Sequence, residues 1–482
     1  MLKGASLKNK AIHKKKRCKI LFFILLPVLF SSITLNVKDF GAKGNGITDD
    51  TAAFQKCIDA LISKGGGTVT VPLGKYPITF LKFFGKEYSN ITINGDNAHI
   101  LQRISGNRKA AENNRFQTFA QRHAADGCFV FDAQVSRQID DTHSIKNIKI
   151  SGLNFISDVE RYGFDELLHQ ISAHGVSNFI VENCTFTGFL GDGIAINGGT
   201  DFSKFHDAYN KDVIIRNCRF DGVNKNNRQG ISIYYSDGFT IDRCSFRNTT
   251  RDDMPGAIDI EPDRGMNVVR NGVISNCTFF NIGGMGAICI NLKAGTQENK
   301  FSNEGYLIEN CIFEKVNSPL MVNGINSHKQ DRDINNHKII FRNSRVKEVK
   351  TVFRLVNADH LLLKNIIFEK IMFPMNRPVT AGECENITLE DCTFPDIASS
   401  SQFIFYGNVK NLSFQNCIFK EKKREQIIFS KITNTDKFRN FNTYIFWLVH
   451  YRLYLLLILP TLLVIGLNMV TRVHKRHIKK QK

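Results

Sequence analysis

Asp259-Ile260-Glu261 sets two carboxylates two residues apart inside an alternating segment, Gly256-Ala-Ile-Asp-Ile260. On a strand that spacing puts both on one face, with Cα atoms about 6.5–7 Å apart. Three more segments share the alternation: Asp192-Gly-Ile-Ala-Ile196, Gln229-Gly-Ile-Ser-Ile233 and Gly286-Ala-Ile-Cys-Ile290. If their isoleucines point inward, Ala195, Ser232, Asp259 and Cys289 form one outward column, and Asn197, Tyr234, Glu261 and Asn291 the next. Asp192 then lies two rungs from Asp259, about 9–10 Å along the stack. Glycoside hydrolysis needs one protonated and one ionised carboxyl, about 5 Å apart for retention or 6.5–9.5 Å for inversion, and clustered carboxylates raise each other's proton affinity. The catalytic candidates are therefore Asp192, Asp259 and Glu261. Residues placed to contact a substrate are His169, Arg228, Gln229, Tyr234, Asp253, Asn197 and Asn291. The same acids also fit a solvated strand edge, or hard oxygen ligands for Ca2+; no other cofactor is called for.

Columns of this kind need a stack of strands, and the chain repeats accordingly. Asn183-Cys-Thr-Phe186, Asn217-Cys-Arg-Phe220, Arg243-Cys-Ser-Phe246, Asn276-Cys-Thr-Phe279 and Asn310-Cys-Ile-Phe313 recur at cysteine spacings of 34, 26, 33 and 34. Such periods, β-rich and without helical runs between copies, are those of a solenoid. The expectation is an all-β, right-handed parallel β-helix of about twelve coils, a single-stranded solenoid. The asparagine before each cysteine suits a left-handed turn position. In-register cysteines about 4.8 Å apart are too widely spaced for good disulfides, so they read as an inward ladder of thiols. Long insertions at 198–212, 262–271, 292–305 and 324–337 would wall the outward columns into a groove, and residues 101–125 read as a further insertion.

Ahead of the repeats, Val37-Lys-Asp-Phe-Gly-Ala42 and Thr48-Asp-Asp-Thr51 lead into an apolar-patterned stretch ended by Gly65-Gly-Gly67. Asp49 or Asp50 caps a helix over 51–62 that plugs the open end of the solenoid, and Thr68–Val71 is the first strand. This module followed by Asn-Cys-x-Phe coils resembles the pectate lyase and polygalacturonase superfamily, closest to its epimerase-like or family 28-related glycosidase branch, over about residues 36–420. In that resemblance Leu190-Gly-Asp-Gly-Ile194 is similar to the polygalacturonase Asp-Asp coil, with Asp192 on its second Asp. Gln229 stands where that family has His, Asp259 and Glu261 where it has Arg and Lys, and His169 where it has its first catalytic Asp. Acids in place of cations imply a neutral or amino-bearing sugar. Tyr162-Gly-Phe-Asp165, with His169 beyond, resembles the stretch with which alginate C5-epimerases handle the C5 proton. Three functions follow from the resemblance: a glycoside hydrolase-like enzyme, an epimerase or lyase, or a non-catalytic polysaccharide-binding solenoid.

The +19 net charge looks like a nucleic-acid signal until it is mapped. Residues 1–35 carry eight Lys/Arg and residues 472–482 six, with no acid in either; without these fourteen the chain is about +5. Nucleic acid is therefore not the expected partner. Lys14-Lys-Lys-Arg17 before Ile20–Phe30 makes residues 1–35 a signal peptide or signal-anchor. Leu453–Val470, within 441–471, is long enough for a transmembrane helix, and the basic tail 472–482 directs the C-terminus to the cytoplasm. The domain expected at 36–440 would then lie on the extracytoplasmic side, membrane-anchored and facing a polysaccharide.

Overall fold

The computed structural model describes residues 33–104, 127–134, 140–165, 168–196, 209–223, 226–262, 267–293, 303–325, 338–372, 379–382, 384–397, 408–420 and 424–433. They form an all-β solenoid of parallel strands: a smaller sheet of ten strands and a larger one of twenty-one. Strands of the smaller sheet run in chain order from Leu81–Phe84 to Val379–Gly382, one per coil. The exception to parallel pairing is the last hairpin, Asn408–Phe419 with Arg424–Thr433, which is antiparallel.

The larger sheet owes its form to the repeated asparagines. Asn183, Asn217, Asn276, Asn310, Asn343, Asn365 and Asn416 have φ between 51° and 55°, and Arg243 has 49°. This left-handed position, which asparagine tolerates better than most residues, bends each coil between two strands, as between Lys211–Arg216 and Arg219–Asp221. Just past the bend the cysteines turn inward. The eleven described cysteines are all buried and unbridged. Cys218 Sγ, for example, approaches the carbonyl of Val181 on the preceding coil at 3.6 Å. Burial pushes the Cys218 and Cys244 thiols up, so they pack as small apolar groups rather than reactive thiolates. At the next coil Ser344 takes the cysteine position, and its hydroxyl accepts from the Cys311 N–H at 3.1 Å.

Two residues after each cysteine a phenylalanine stacks on its counterpart. Phe155, Phe186, Phe220, Phe246, Phe279 and Phe313 form one ladder with ring centroids 4.8–5.0 Å apart and planes within 7°. Phe220, 1% exposed, sits mid-ladder between two rings. Its replacement by alanine is expected to cost about 3–5 kcal/mol, read as a lower urea midpoint at unchanged slope.

The N-terminal helix spans Thr51–Ile62, as expected, and buries Phe54, Cys57, Ile58 and Leu61 over the first coil. The acids before it divide the work. Asp49 Oδ1 accepts from the Thr51 N–H at 3.0 Å, whereas Asp50, 1% exposed, accepts from Lys43 and Gly44 N–H at 2.6 and 3.0 Å. Asp50 thus pins the preceding loop and does not cap the helix with its side chain.

The expected fold needs one correction. It includes a signal-anchor and a transmembrane helix, yet among the described residues no helix is long and apolar enough to cross a membrane. The α-helical segments described are Thr51–Ile62 and the four-residue Val159–Tyr162, and both belong to the solenoid. The apolar runs 20–30 and 453–470 lie outside the described residues, as do nearly all of the 101–125 insertion and most of the four wall insertions.

Candidate functional site

Cross-strand register places the outward columns where the alternation demands. Ser172, Ala195, Ser232, Asp259 and Cys289 align on successive strands, followed by Met321 and Arg354. Their flanking residues Ile194, Ile196, Ile231, Ile233, Ile258, Ile260, Ile288 and Ile290 are fully buried in the core. Asn291 aligns with Asn323 in the second column. Asn197, its expected member on the Asp192 coil, lies outside the described residues.

Two clusters form on this face. The first is built on Asp192, which precedes the strand Ile194–Ile196 and is fully buried. Arg228 Nη1 donates to both of its carboxylate oxygens, at 2.7 and 2.6 Å, and also to the Tyr234 hydroxyl at 2.7 Å. The Gln229 N–H adds a longer bond to Asp192 Oδ1 at 3.3 Å. Burial alone would push the Asp192 carboxyl up; the Arg228 charge, with help from His169, outweighs it and holds the group below the usual carboxylate range. His169 begins the neighbouring strand and is 3% exposed. Its Nδ1 lies 3.2 Å from Asp192 Oδ2 and 3.0 Å from the Asp192 backbone nitrogen. These are alternatives for one nitrogen: unprotonated it accepts from the amide, and protonated it donates to the carboxylate. Nε2 then remains for a ligand, as no described residue bonds to it. The segment before His169 is tied to the same coil, since Asp165 N–H donates to the Leu190 carbonyl and Gly191 N–H to that of Leu168.

The second cluster is Asp259 with Glu261. Asp259 is fully buried and Glu261 half-buried. Burial first, then the Glu261 charge and more weakly that of Asp192, raise the Asp259 carboxyl well above its ordinary value, against the opposing pull of Arg228. Asn291 donates to Asp259 Oδ1 at 3.4 Å. Oδ2 meets no N–H or O–H donor among the described residues, which suits a carboxyl that carries its own proton beside the Glu261 charge. The pH signature follows. Asp259 ionises freely in the unfolded chain but not in the folded one, so it subtracts stability as pH rises from the ordinary carboxylate range through its raised folded value. Asp259→Asn removes that loss. The variant is expected to melt level with the wild type near about pH 4 and above it near about pH 8, by scanning calorimetry.

The remaining candidates divide. The Gln229 amide and the Ser232 hydroxyl, both fully buried, have no partner among the described residues; unpaired groups of this kind are costly unless a ligand or water meets them. Asp253 does not join the site: its side chain is 68% exposed and pairs with Arg251 at 2.6 Å. Arg251 in turn lies 3.9 Å over the Phe164 ring. No three His, Cys, Asp or Glu side chains among the described residues gather closely enough to hold a metal ion. Sequence reasoning missed Asp132 and His174, which are 1% exposed and face each other in register at the foot of the second column, and it missed Arg354. The signal available was alternation within Gly127–Asp132, His169–His174 and Phe353–Val356, none of which carries the Gly-x-Ile-x-Ile pattern.

A parallel solenoid with a helix over its first coil, and with titratable residues aligned on one sheet, has the architecture of a parallel β-helix. Residues 34–254 match the family described as rhamnogalacturonase A/epimerase, pectate lyase-like, which is consistent with the pectate lyase and polygalacturonase-like β-helix superfamily. Short stretches are similar to two Azotobacter vinelandii proteins. Mannuronan C5-epimerase AlgE2 is 50% identical over 68 residues, 14% of this chain and 6% of that protein. Alginate lyase 7 is 61% identical over 44 residues, 9% of this chain and 5% of that protein. The chain therefore spans only a small fraction of these curated relatives. In fold it is similar to the A-module of Azotobacter vinelandii mannuronan C-5 epimerase AlgE6, with a TM-score of 0.50 and 15% identity over 80% of this chain and 92% of that one.

Proposed function

We propose that this β-helix acts on a uronic-acid polysaccharide by removing the C5 proton, as an epimerase or a lyase, and not on the neutral or amino-bearing sugar that its acids alone imply, because Arg228 offsets the Asp192 charge and the Asp259 carboxyl is raised. The observation that carries the reading is His169, whose Nδ1 rests on the buried, Arg228-bound Asp192 carboxylate while Nε2 has no partner among the described residues. An imidazole oriented and supported in this way can act as a general base through Nε2. In the step envisaged, Nε2 takes the proton from C5 and the electron pair passes into the sugar carboxyl group. A proton delivered from water to the other face gives the epimer. Expulsion of the C4–O bond instead forms a C4=C5 double bond, and the departing oxygen takes its proton from water. The short likenesses to mannuronan C5-epimerases and an alginate lyase support the substrate class.

The hydrolase reading has its own support, since Asp259 is held neutral beside an acid on the same strand. Its geometry fits less well. Asp259 is fully buried and its carboxyl is raised by the neighbouring Glu261 charge, so the two acids act on each other rather than flanking a glycosidic bond. Asp192 is sealed in an ion pair and can neither give a proton nor hold a water for attack. The test is incubation with a panel of uronans and neutral polysaccharides. The proposal expects either new ultraviolet absorbance from an unsaturated sugar or a changed ratio of C5 epimers by proton NMR, with uronans alone. New reducing ends without either signal would favour the hydrolase, and binding without any change would leave a polysaccharide-binding solenoid.

A further inference from the structure

Arg354 stands on the strand Phe353–Val356, between the buried Phe353 and Leu355, so its side chain leaves the opposite face. Register carries the first outward column to it without a break, from Asp259 to Cys289, Met321 and Arg354. Burial relaxes along the same line: Asp259 and Cys289 are closed off, Met321 is 9% exposed, and Arg354 is half-buried. The second column opens in step, from buried Asn291 through half-buried Asn323 to exposed Val356.

Arg354 is unusual beside the arginines of the larger sheet. Arg216, Arg243, Arg247, Arg270, Arg342 and Arg345 each pair with a carboxylate. Arg354 has no ion pair or hydrogen bond to any described residue, although burial already pulls its guanidinium below its ordinary value. A half-buried guanidinium keeps five donors in a planar fork that matches a carboxylate.

We infer that Arg354 is a subsite for the carboxylate of a bound acidic sugar, with Met321 on the neighbouring strand as an apolar contact for the adjoining ring. This rests on the polysaccharide reading above and extends it to the direction and length of the bound chain. Five rungs, about 24 Å, separate the Asp192 coil from the Arg354 coil. A chain of roughly five or six sugar rings laid along the columns would therefore be needed to reach from His169 to Arg354.

The experiment is calorimetric titration of the intact protein with homo-oligomers of a uronic acid, from dimers upward, and with neutral oligomers of the same lengths. Wild type is expected to bind uronate oligomers with a step up in affinity once they reach Arg354. Arg354→Gln should weaken the long oligomers by about tenfold or more, the value of one charged hydrogen-bonded contact, and leave short ones unchanged. Arg354→Lys, which keeps the charge without the fork, should recover part of the step. If uronate oligomers bind but the glutamine variant binds every length as wild type does, or loses all lengths equally, the subsite is overturned and the substrate reading stands. If wild type binds no uronate oligomer, or binds only neutral ones, both fall together.

Discussion

Replacing Arg228 with methionine is expected to destabilise the folded chain by about 3–5 kcal/mol, the cost of leaving a buried charge without its partner. Asp192 is fully buried, and two of the bonds to its carboxylate come from a single guanidinium nitrogen of Arg228. Without that cation, burial would dominate and drive the Asp192 carboxyl upward, so the variant should recover part of its stability as pH falls and the group takes a proton. A second substitution separates the ion pair from simple loss of packing. Asp192→Asn in the Arg228→Met background removes the stranded charge, and the double variant should be distinctly more stable than Arg228→Met alone, a non-additivity of the kind contacting residues show. Urea unfolding at neutral pH measures all three. A loss below about 1 kcal/mol for Arg228→Met, or strict additivity in the pair, would mean that the ion pair does not hold the site together.

The largest effect on function is expected at His169. If its Nε2 takes the C5 proton, His169→Gln and His169→Ala lower turnover by about 10²–10⁴-fold, the usual contribution of a general base, with little change in KM. Asp192→Asn should act in the same direction, because an amide no longer favours the proton on Nδ1 when Nε2 acts as base. Glu261→Gln should have the smaller effect on epimerisation, since Glu261 takes no part in the proposed step. Initial rates on a confirmed uronan, with the epimer ratio or the unsaturated product as readout, decide this. Full activity in both His169 variants would remove the imidazole from the mechanism.

The parts of the fold that are legible in the sequence are those set by local chemistry and repetition. Thr51–Ile62 lies between a pair of aspartates and a glycine run, and both ends stand where those residues put them. The Ile-x-Ile alternation is enough to align Ala195, Ser232, Asp259 and Cys289, because a one-residue slip would turn every isoleucine to the outside. The asparagines before the cysteines are left-handed for the reason their type suggests.

Side-chain partners across coils are not legible in the same way. Arg228 reaches Asp192 over 36 residues, and the reach depends on how the chain between them returns, which alternation does not encode. Asp192 therefore reads from sequence as a free acid, when it is one half of a buried ion pair. Asp253 reads as part of the acidic group, but the turn that carries it leaves it exposed beside Arg251. His169 stands two residues farther from Tyr162-Gly-Phe-Asp165 than the resembled motif requires. The coil contact from Asp165 N–H to the Leu190 carbonyl nonetheless brings that segment to the Asp192 coil, a contact with no signature in the tetrapeptide itself.

The most direct measurement is hydrogen exchange at C5. A uronan incubated with the protein in D2O and followed by NMR should lose the H-5 signal of its converted residues as solvent deuterium enters an epimer, or yield the unsaturated product of elimination; His169→Gln should abolish both. Reducing ends that appear with C5 fully protonated and no unsaturation, at the same rate in the His169→Gln protein, would contradict the account.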